Sequence, residues 1–411
     1  MIIPSIDIMN GKAVQLKQGK EKILEVEDVL SLAKYYSKFG EIAVIDLDSA
    51  MNKGDNEELI SKICKIAKCR VGGGIRTIEK AKRMLAYGAS KIIIGTAANE
   101  EFLSKLPKDK TMVAIDSKNG KITLNGWVDD TEHTTESYVK RFENLCSGFL
   151  FTIVEKEGML EGTNLEAIKK ISAITKTPIT AAGGISTIEE IKELEKLNIS
   201  SQLGMSIYTG KINLEDAFIE CVDFEKMNGL VPTIVQDVET KQVLMLAYSN
   251  KDSLRKSFKE GLATYFSRSR NELWTKGLTS GNYQELISAR FDCDKDTILF
   301  LVKQKGNACH LDRFTCFEDK EFAINSLYEL ILDRMKNPPE GSYTKKLLDN
   351  DFYLKRKIME EAFETVNFEQ GDGLGWEAAD LIYHLLVFLA KNNITWQDIV
   401  NNLSSRTKWE S

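Results

Sequence analysis

Short apolar runs and longer helical patterns alternate through the first half of this chain. Residues 42–47, 91–95 and 149–154 are near-continuous apolar stretches of strand length, and residues 78–87 and 188–197 place apolar side chains at helical spacing. Unbroken apolar strands are buried on both faces, the pattern of a parallel sheet covered by helices. The region also repeats itself. Ile6-Asp7-x-x-Asn10-Gly11-Lys12 returns as Ile115-Asp116-x-x-Asn119-Gly120-Lys121, and Gly73-Gly74-Ile75-Arg76-Thr77-Ile78-Glu79 returns as Gly183-Gly184-Ile185-Ser186-Thr187-Ile188-Glu189. Two matched halves of four strand-helix units predict a (βα)8 barrel over residues 1–222.

After Phe317 the pattern is wholly helical. Helices are predicted at 322–334, 353–368 and 376–391, with a linker holding Pro338-Pro339 and Gly341-Ser342-Tyr343-Thr344. A length of 411 residues with 43% hydrophobic content supports two to four domains. The divisions expected are 1–222, 223–320 and 321–411.

Charge and targeting narrow the function. The net charge is −6 with no long basic stripe, which argues against a nucleic-acid partner, so anionic substrates must be met by local arginines, lysines and backbone amides. The first residues, Met1-Ile2-Ile3-Pro4-Ser5-Ile6-Asp7, lack the basic segment and apolar core of a secretion signal, and no apolar run approaches membrane-spanning length. A cytoplasmic protein with no membrane partner is expected. Seven cysteines are too few for a disulfide framework at this length, and Cys64, Cys69, Cys146 and Cys221 read as free thiols.

Three constellations carry chemistry. In the barrel, Asp7 and Asp116 end the first strand of each half, so they face each other across the mouth as an acid/base pair. Gly73-Gly74 and Gly183-Gly184 end strands three and seven, and Gly95-Thr96 and Gly204-x-Ser206 end strands four and eight. Their amides offer two phosphate cradles, hence a substrate phosphorylated at both ends, although tight turns alone would also use such glycines.

In the middle, Asp292-Cys293-Asp294-Lys295-Asp296 is followed by Cys309-His310 and Cys316. Three thiolates leave a zinc ion one open position for water, which favours catalysis over a closed structural site. If the three aspartates alternate along a strand, they share one face and need a cation, and hard oxygen ligands of this kind suit magnesium or calcium. A zinc knuckle with a fourth ligand elsewhere, beside a solvated acidic edge, is the plainer alternative. Arg268, Arg270, Trp274 and Lys276 lie just upstream as a phosphate-and-base binding inventory. In the helical region Glu360, Glu361 and Glu364 face Glu377 and Asp380 if the two helices pack antiparallel, converging on a divalent ion able to grip pyrophosphate. Solvated acidic faces would show the same run.

These residues resemble three enzyme families. Tyr265 to Arg270, Leu273-Trp274-Thr275-Lys276-Gly277, Ser280-Gly281-Asn282 and the thiols are similar to phosphoribosyl-AMP cyclohydrolase, which implies a small α+β domain where zinc-activated water attacks adenine C6 and opens the ring. The resemblance assigns His310 as proton carrier and implies a homodimer that shares its zinc site between chains. Asn282 and Leu311 stand where histidine and threonine are usual. The repeated half resembles phosphoribosylformimino-aminoimidazole carboxamide ribotide isomerase, a cofactor-free barrel that runs an Amadori rearrangement. This implies Asp7 as base, Asp116 as acid, Trp127 stacking on imidazole and Thr152 on strand six. Gln15, Ala43 and Glu157-Gly158-Met159 depart from that pattern, which leaves a degenerate phosphosugar-binding barrel as the alternative. Lys357-x-x-Glu360-Glu361-x-x-Glu364 with Glu377-x-x-Asp380, and Ser342-Tyr343-Thr344, look like phosphoribosyl-ATP pyrophosphohydrolase, an all-α magnesium enzyme. The fold expected is α/β, then α+β, then all-α. Its implied partners are small-molecule phosphoribosyl nucleotides and a second copy of the chain, met through the cyclohydrolase and helical domains. Its cofactors are zinc and magnesium.

Overall fold

The computed structural model describes every residue except 18, 20, 125, 128, 369–372 and 407–411. Eight parallel strands close into a ring: β1 (Ile2–Met9), β2 (Ile42–Asp46), β3 (Cys69–Gly72), β4 (Lys91–Ile94), β5 (Thr111–Lys118), β6 (Phe149–Ile153), β7 (Ile179–Ala182) and β8 (Ser200–Leu203). Each pairs with its neighbours in chain order, and β8 returns to β1. The outward side chains join the helices in the main core, whereas Ile93, Met112, Leu150 and Ala182 fill the lumen as a separate cluster. Both faces are apolar because both are covered.

The sequence repeat has a structural counterpart in two respects. Thr77 and Thr187 cap the helices Ile78–Ala86 and Ile188–Lys196 by accepting the amides of Lys80 and Glu190. Asn10-Gly11 and Asn119-Gly120 have φ of 52°, 75°, 52° and 78°, the left-handed pairs that close tight hairpins. Each first strand of a half therefore runs into a hairpin over the barrel mouth, Lys12–Lys17 with Glu21–Val26 and Lys121–Leu124 with Asp129–Thr134.

The middle unit is a four-stranded sheet in the order Val243–Ser249, Val231–Asp237, Ile298–Gln304, Gln284–Phe291, with a small hairpin of Thr264–Ser267 and Glu272–Thr275 and one helix, Lys251–Glu260. Its core is continuous with the barrel's. The ring centroids of Phe39 and Phe258 lie 4.8 Å apart, those of Phe218 and Phe258 5.2 Å, and those of Phe218 and Phe291 5.4 Å.

The last unit is helical: Ile324–Lys336, Tyr343–Asp349, Asp351–Val366, Gly373–Lys391 and Trp396–Arg406, around its own core of Tyr328, Ile331, Leu347, Leu354, Leu386, Val387 and Ala390. Two features depart from the sequence expectation. The segment read as linker begins a helix at Tyr343, because Ser342 caps it by accepting the amide of Lys345. The unforeseen helix Trp396–Arg406 packs on Ile78–Ala86 of the barrel, with Lys65 Nζ 3.0 Å from Asp398. A third correction concerns apolar length. Gly373–Lys391 is long and apolar enough, by length and composition, to cross a membrane, although it carries Glu377 and Asp380.

Candidate active sites

The barrel mouth opens into a cavity of about 270 Å³ that brings together Asp7, Asp116, Trp127, Thr152, Gly95, Thr96, Ser206 and the glycine turns at Gly73, Gly74, Gly183, Gly184 and Gly204. Burial pushes Asp7 up to about 6, against a hydrogen bond from the Ser5 hydroxyl at 3.0 Å. Burial also raises Asp116, opposed by hydrogen bonds from Trp127 and Thr152. A third carboxyl lines the same cavity. Glu157 is pushed up to about 8, first by burial and then by the charges of Asp7 and Asp116. Such a set holds ionised and protonated carboxyls side by side at neutral pH.

The glycines are needed for approach as well as for amides. A Cβ on Gly73 would lie 2.2 Å from the Asp46 carbonyl oxygen, and one on Gly183 2.4 Å from that of Ile153. Each turn is pressed onto the end of the preceding strand. Trp127 sits in the left-handed region at φ 70°, costly for an aromatic residue, and its ring covers Gly19 of the first hairpin. The two hairpins thus meet over the mouth.

The middle unit separates residues that the sequence reading grouped. Cys309 and Cys316 are neighbours, with Lys276 and Arg313 close by. The Leu311 amide 3.4 Å from Cys309 Sγ lowers that thiol, and burial raises Cys316. Burial lowers Lys276. Cys293 is elsewhere. Its loop joins Phe291 to Ile298, and Ile298 lies level with Thr233 at one end of the sheet. The Cys316 amide bonds the Leu244 carbonyl, which lies two strands across the sheet at the level of Phe300 and Leu301. Two to three residues of strand rise together with two strand spacings put roughly 12 Å between those places. The three thiols therefore do not converge within one chain.

Asp292, Asp294 and Asp296 are also not on a strand, because the hairpin turns there, yet one oxygen from each lies within 4.8 Å of the others. Their donor set, oxygen only, fits magnesium, whereas the two adjacent thiols fit a zinc ion that must find its remaining ligand elsewhere. Arg268 stacks 3.7 Å from the Tyr248 ring centroid, Arg270 lies 3.3 Å from Glu272, and Trp274 stands 5.8 Å from both Tyr265 and the Lys276 ammonium. His310 is exposed beside Cys309.

In the helical unit the expected carboxylates do converge. Glu360, Glu361 and Glu364 form one group and Glu361, Glu377 and Asp380 another, each with its oxygens within 4.8 Å. Glu361 is shared and 4% exposed. Lys357 lies 2.9 Å from Glu360 and 2.6 Å from Glu361, and Glu364 is raised by burial and by Glu361 and Glu377. His384 is fixed by its Nδ1 donating to the Asp380 carbonyl at 2.7 Å, which leaves Nε2 to accept from the Tyr343 hydroxyl at 2.9 Å.

Three family models match the chain in the same order: histidine biosynthesis protein over residues 1–213, phosphoribosyl-AMP cyclohydrolase over residues 245–318, and phosphoribosyl-ATP pyrophosphohydrolase over residues 324–407. The first spans more than half of the chain. The chain belongs to the histidine-biosynthesis protein family. Among its relatives, the histidine biosynthesis bifunctional protein HisIE of Caldanaerobacter subterraneus is 45% identical over 44% of this chain and 94% of the relative. An imidazole-4-carboxamide isomerase of Methanosphaera stadtmanae is 37% identical over 53% of this chain and 98% of the relative. The histidine biosynthesis trifunctional protein of Kluyveromyces lactis is 36% identical over 53% of this chain and 27% of the relative.

Within this histidine-biosynthesis chain the unusual barrel residues fall in two places. Ala43 is fully buried and pairs with Ser5 and Arg70, a layer below Asp7, so its small side chain alters the lumen. Gln15 is buried against the β8 turn, its Oε1 2.8 Å from where a Gly204 Cβ would be. Two cavity residues were missed from sequence. Glu157 was read as a departure from pattern and not as a third carboxyl. Arg76 lines the cavity with its guanidinium held by the Ser49 and Ala50 carbonyls at 2.9 and 2.7 Å. Its signal was the one break in the repeat, where Ser186 stands opposite Arg76.

Proposed function

We infer that this protein is a multifunctional enzyme of histidine biosynthesis that releases pyrophosphate from phosphoribosyl-ATP, opens the adenine ring of phosphoribosyl-AMP and isomerises the resulting ribotide. One observation carries the reading: three constellations of acids or thiols occupy three units, each matched by its own family model.

In the barrel, an Amadori rearrangement needs a proton delivered to the ribose ring oxygen as the ring opens and a proton taken from C2. Asp116 is the donor and Asp7 the acceptor, with Glu157 a further carboxyl that keeps its proton at neutral pH. The raised carboxyls favour an active barrel over a degenerate one. The paired glycine turns and Ser206 hold the two phosphates, and Trp127 and Thr152 place the imidazole.

For ring opening, Cys309 and Cys316 hold zinc with Cys293 of a second copy, and Asp292, Asp294 and Asp296 hold magnesium. Bound zinc supplies acidified water at neutral pH. His310 moves the proton, and Arg268, Arg270, Trp274 and Lys276 bind phosphate and base. In the helical unit Glu360, Glu361, Glu364, Glu377 and Asp380 hold magnesium, and Lys357 meets the phosphates.

A homodimer is supported by a second feature. Phe352, Met359, Phe363 and Val366 are 67–78% exposed at heptad-like spacing on one helix, and Trp376 is 74% exposed on the next. An apolar face of that extent needs a cover, which also accounts for the apolar length of Gly373–Lys391 without a membrane. A cytoplasmic enzyme that binds phosphoribosyl nucleotides and no nucleic acid is the setting proposed. Assay of the purified protein on each of the three substrates should give three products. A folded protein that binds the ribotide without converting it would leave the two hydrolytic activities and a degenerate barrel.

A further inference from the structure

The loop between Phe291 and Ile298 is fastened from behind by Glu195 of the barrel and by Asp223 and Lys226 of the segment that follows it. Lys295 has φ 64°, a left-handed conformation unfavourable for lysine. That turn carries its side chain to the barrel, where Nζ lies 2.5 Å from Glu195 Oε2. The Lys295 carbonyl accepts the Asp223 amide at 2.9 Å, and Lys226, in the connection from the barrel, reaches both Asp294 and Asp296 at 2.5 Å. Glu195 is 7% exposed and is presented by the capped helix Ile188–Lys196, whose Ile191 and Leu194 are fully buried. Its other oxygen takes the Met1 amino group. A carboxylate this buried and doubly paired is a fixed anchor. Within the loop itself, the Asp292 amide donates to the Thr297 carbonyl at 3.1 Å, the Thr297 amide to Asp292 at 3.2 Å and the Thr297 hydroxyl to Asp296 at 3.2 Å.

We propose that Glu195 is a positioning residue for the cyclohydrolase: a barrel side chain that, through Lys295, sets the geometry in which Asp292, Asp294 and Asp296 present their oxygens. The role rests on the reading of those aspartates as cation ligands, and the clamp itself can be tested apart from it. Two full-length variants break the clamp from opposite sides, Glu195→Gln and Lys295→Met. The second leaves the Met1 contact in place.

Amide hydrogen exchange of residues 292–297 in metal-free protein should be about tenfold faster in both variants, as expected for a loop released to open locally. The magnesium concentration giving half-maximal ring opening should rise about tenfold in both, the lower range for loss of an outer partner of a metal ligand, while the rate at saturating magnesium changes less than about twofold. Pyrophosphate release and isomerisation should stay within about twofold, and Glu195→Asp, which keeps the charge, should fall nearer the parent. Lys295→Met also removes a positive charge beside the aspartates, which by charge alone would tighten magnesium binding. Unchanged or tighter binding in Lys295→Met, or parental exchange in both variants, overturns the proposal. If Asp294→Asn leaves the magnesium dependence unaltered, the ligand reading fails, and the exchange rates still decide the clamp.

Discussion

The barrel site and the thiol site are built on opposite plans. The barrel draws its carboxyls from β1, β5 and the loop after β6 of one closed ring, so a single chain completes the cavity and buries it enough to raise three acids. The thiol site lies on an open sheet, with two thiols beside an outer strand and the third in a loop two strands away. A ring presents the same end of every strand to one point, whereas an open sheet sets non-adjacent strands apart. The closed plan makes chemistry independent of neighbours, and under the function proposed above the open plan makes it depend on them.

The largest effect expected from this contrast is on the barrel. Asp7→Asn should lower isomerase turnover by roughly 10²–10⁴-fold, as loss of a positioned acid or base does, with ring opening and pyrophosphate release unchanged. Steady-state assays of all three reactions on one preparation check it, and parental isomerase turnover would remove Asp7 from the chemistry. Next, Cys316→Ser should lose zinc by elemental analysis and reduce ring opening by at least the roughly 10–100-fold that loss of a mere outer partner costs. A variant that keeps zinc and full ring opening would show that the thiol pair is not the site.

Dilution separates the two plans directly. Specific ring-opening activity should fall as protein concentration drops through the dimer dissociation constant, while specific isomerase activity stays level. Parallel dilution curves would mean that ring opening is complete within one chain.

The smallest effect is in pH. With Asp7 near 6 and Glu157 near 8, isomerase turnover should fall below about pH 6, as the base is protonated, and above about pH 8, as Glu157 ionises beside Asp7 and Asp116. Both acids are raised on folding, so their contribution to stability is full below their ordinary values and is lost as pH rises through 6 and then 8. Glu157→Gln should accordingly melt like the parent at pH 4 and above it at pH 9. Equal melting at both would show that Glu157 is not held protonated.

Much of this molecule was decided by sequence alone. The duplicated Asp-x-x-Asn-Gly and Gly-Gly-Ile segments specified two halves, their hairpin turns and the two facing aspartates, because Asn-Gly and Gly-Gly encode backbone conformations that few other residues adopt. The carboxylates of the helical unit were legible for a similar reason, since spacing of three and four residues places side chains on one helix face whatever lies around it. Other features had no local signature. Five residues of alternating aspartate read as strand, whereas they turn between two paired strands, with Asp223, Lys226 and Glu195 bonded to the turn. Tyr343 read as linker because two prolines and a glycine precede it, whereas Ser342 starts a helix there. Which thiols meet, how Glu157 comes to stand beside Asp7 and Asp116, and where the helix Trp396–Arg406 docks all depend on contacts between residues far apart in the chain. Local periodicity carries the direction of each side chain relative to its own backbone. Only the closed packing of the whole chain carries the distance from one backbone to another.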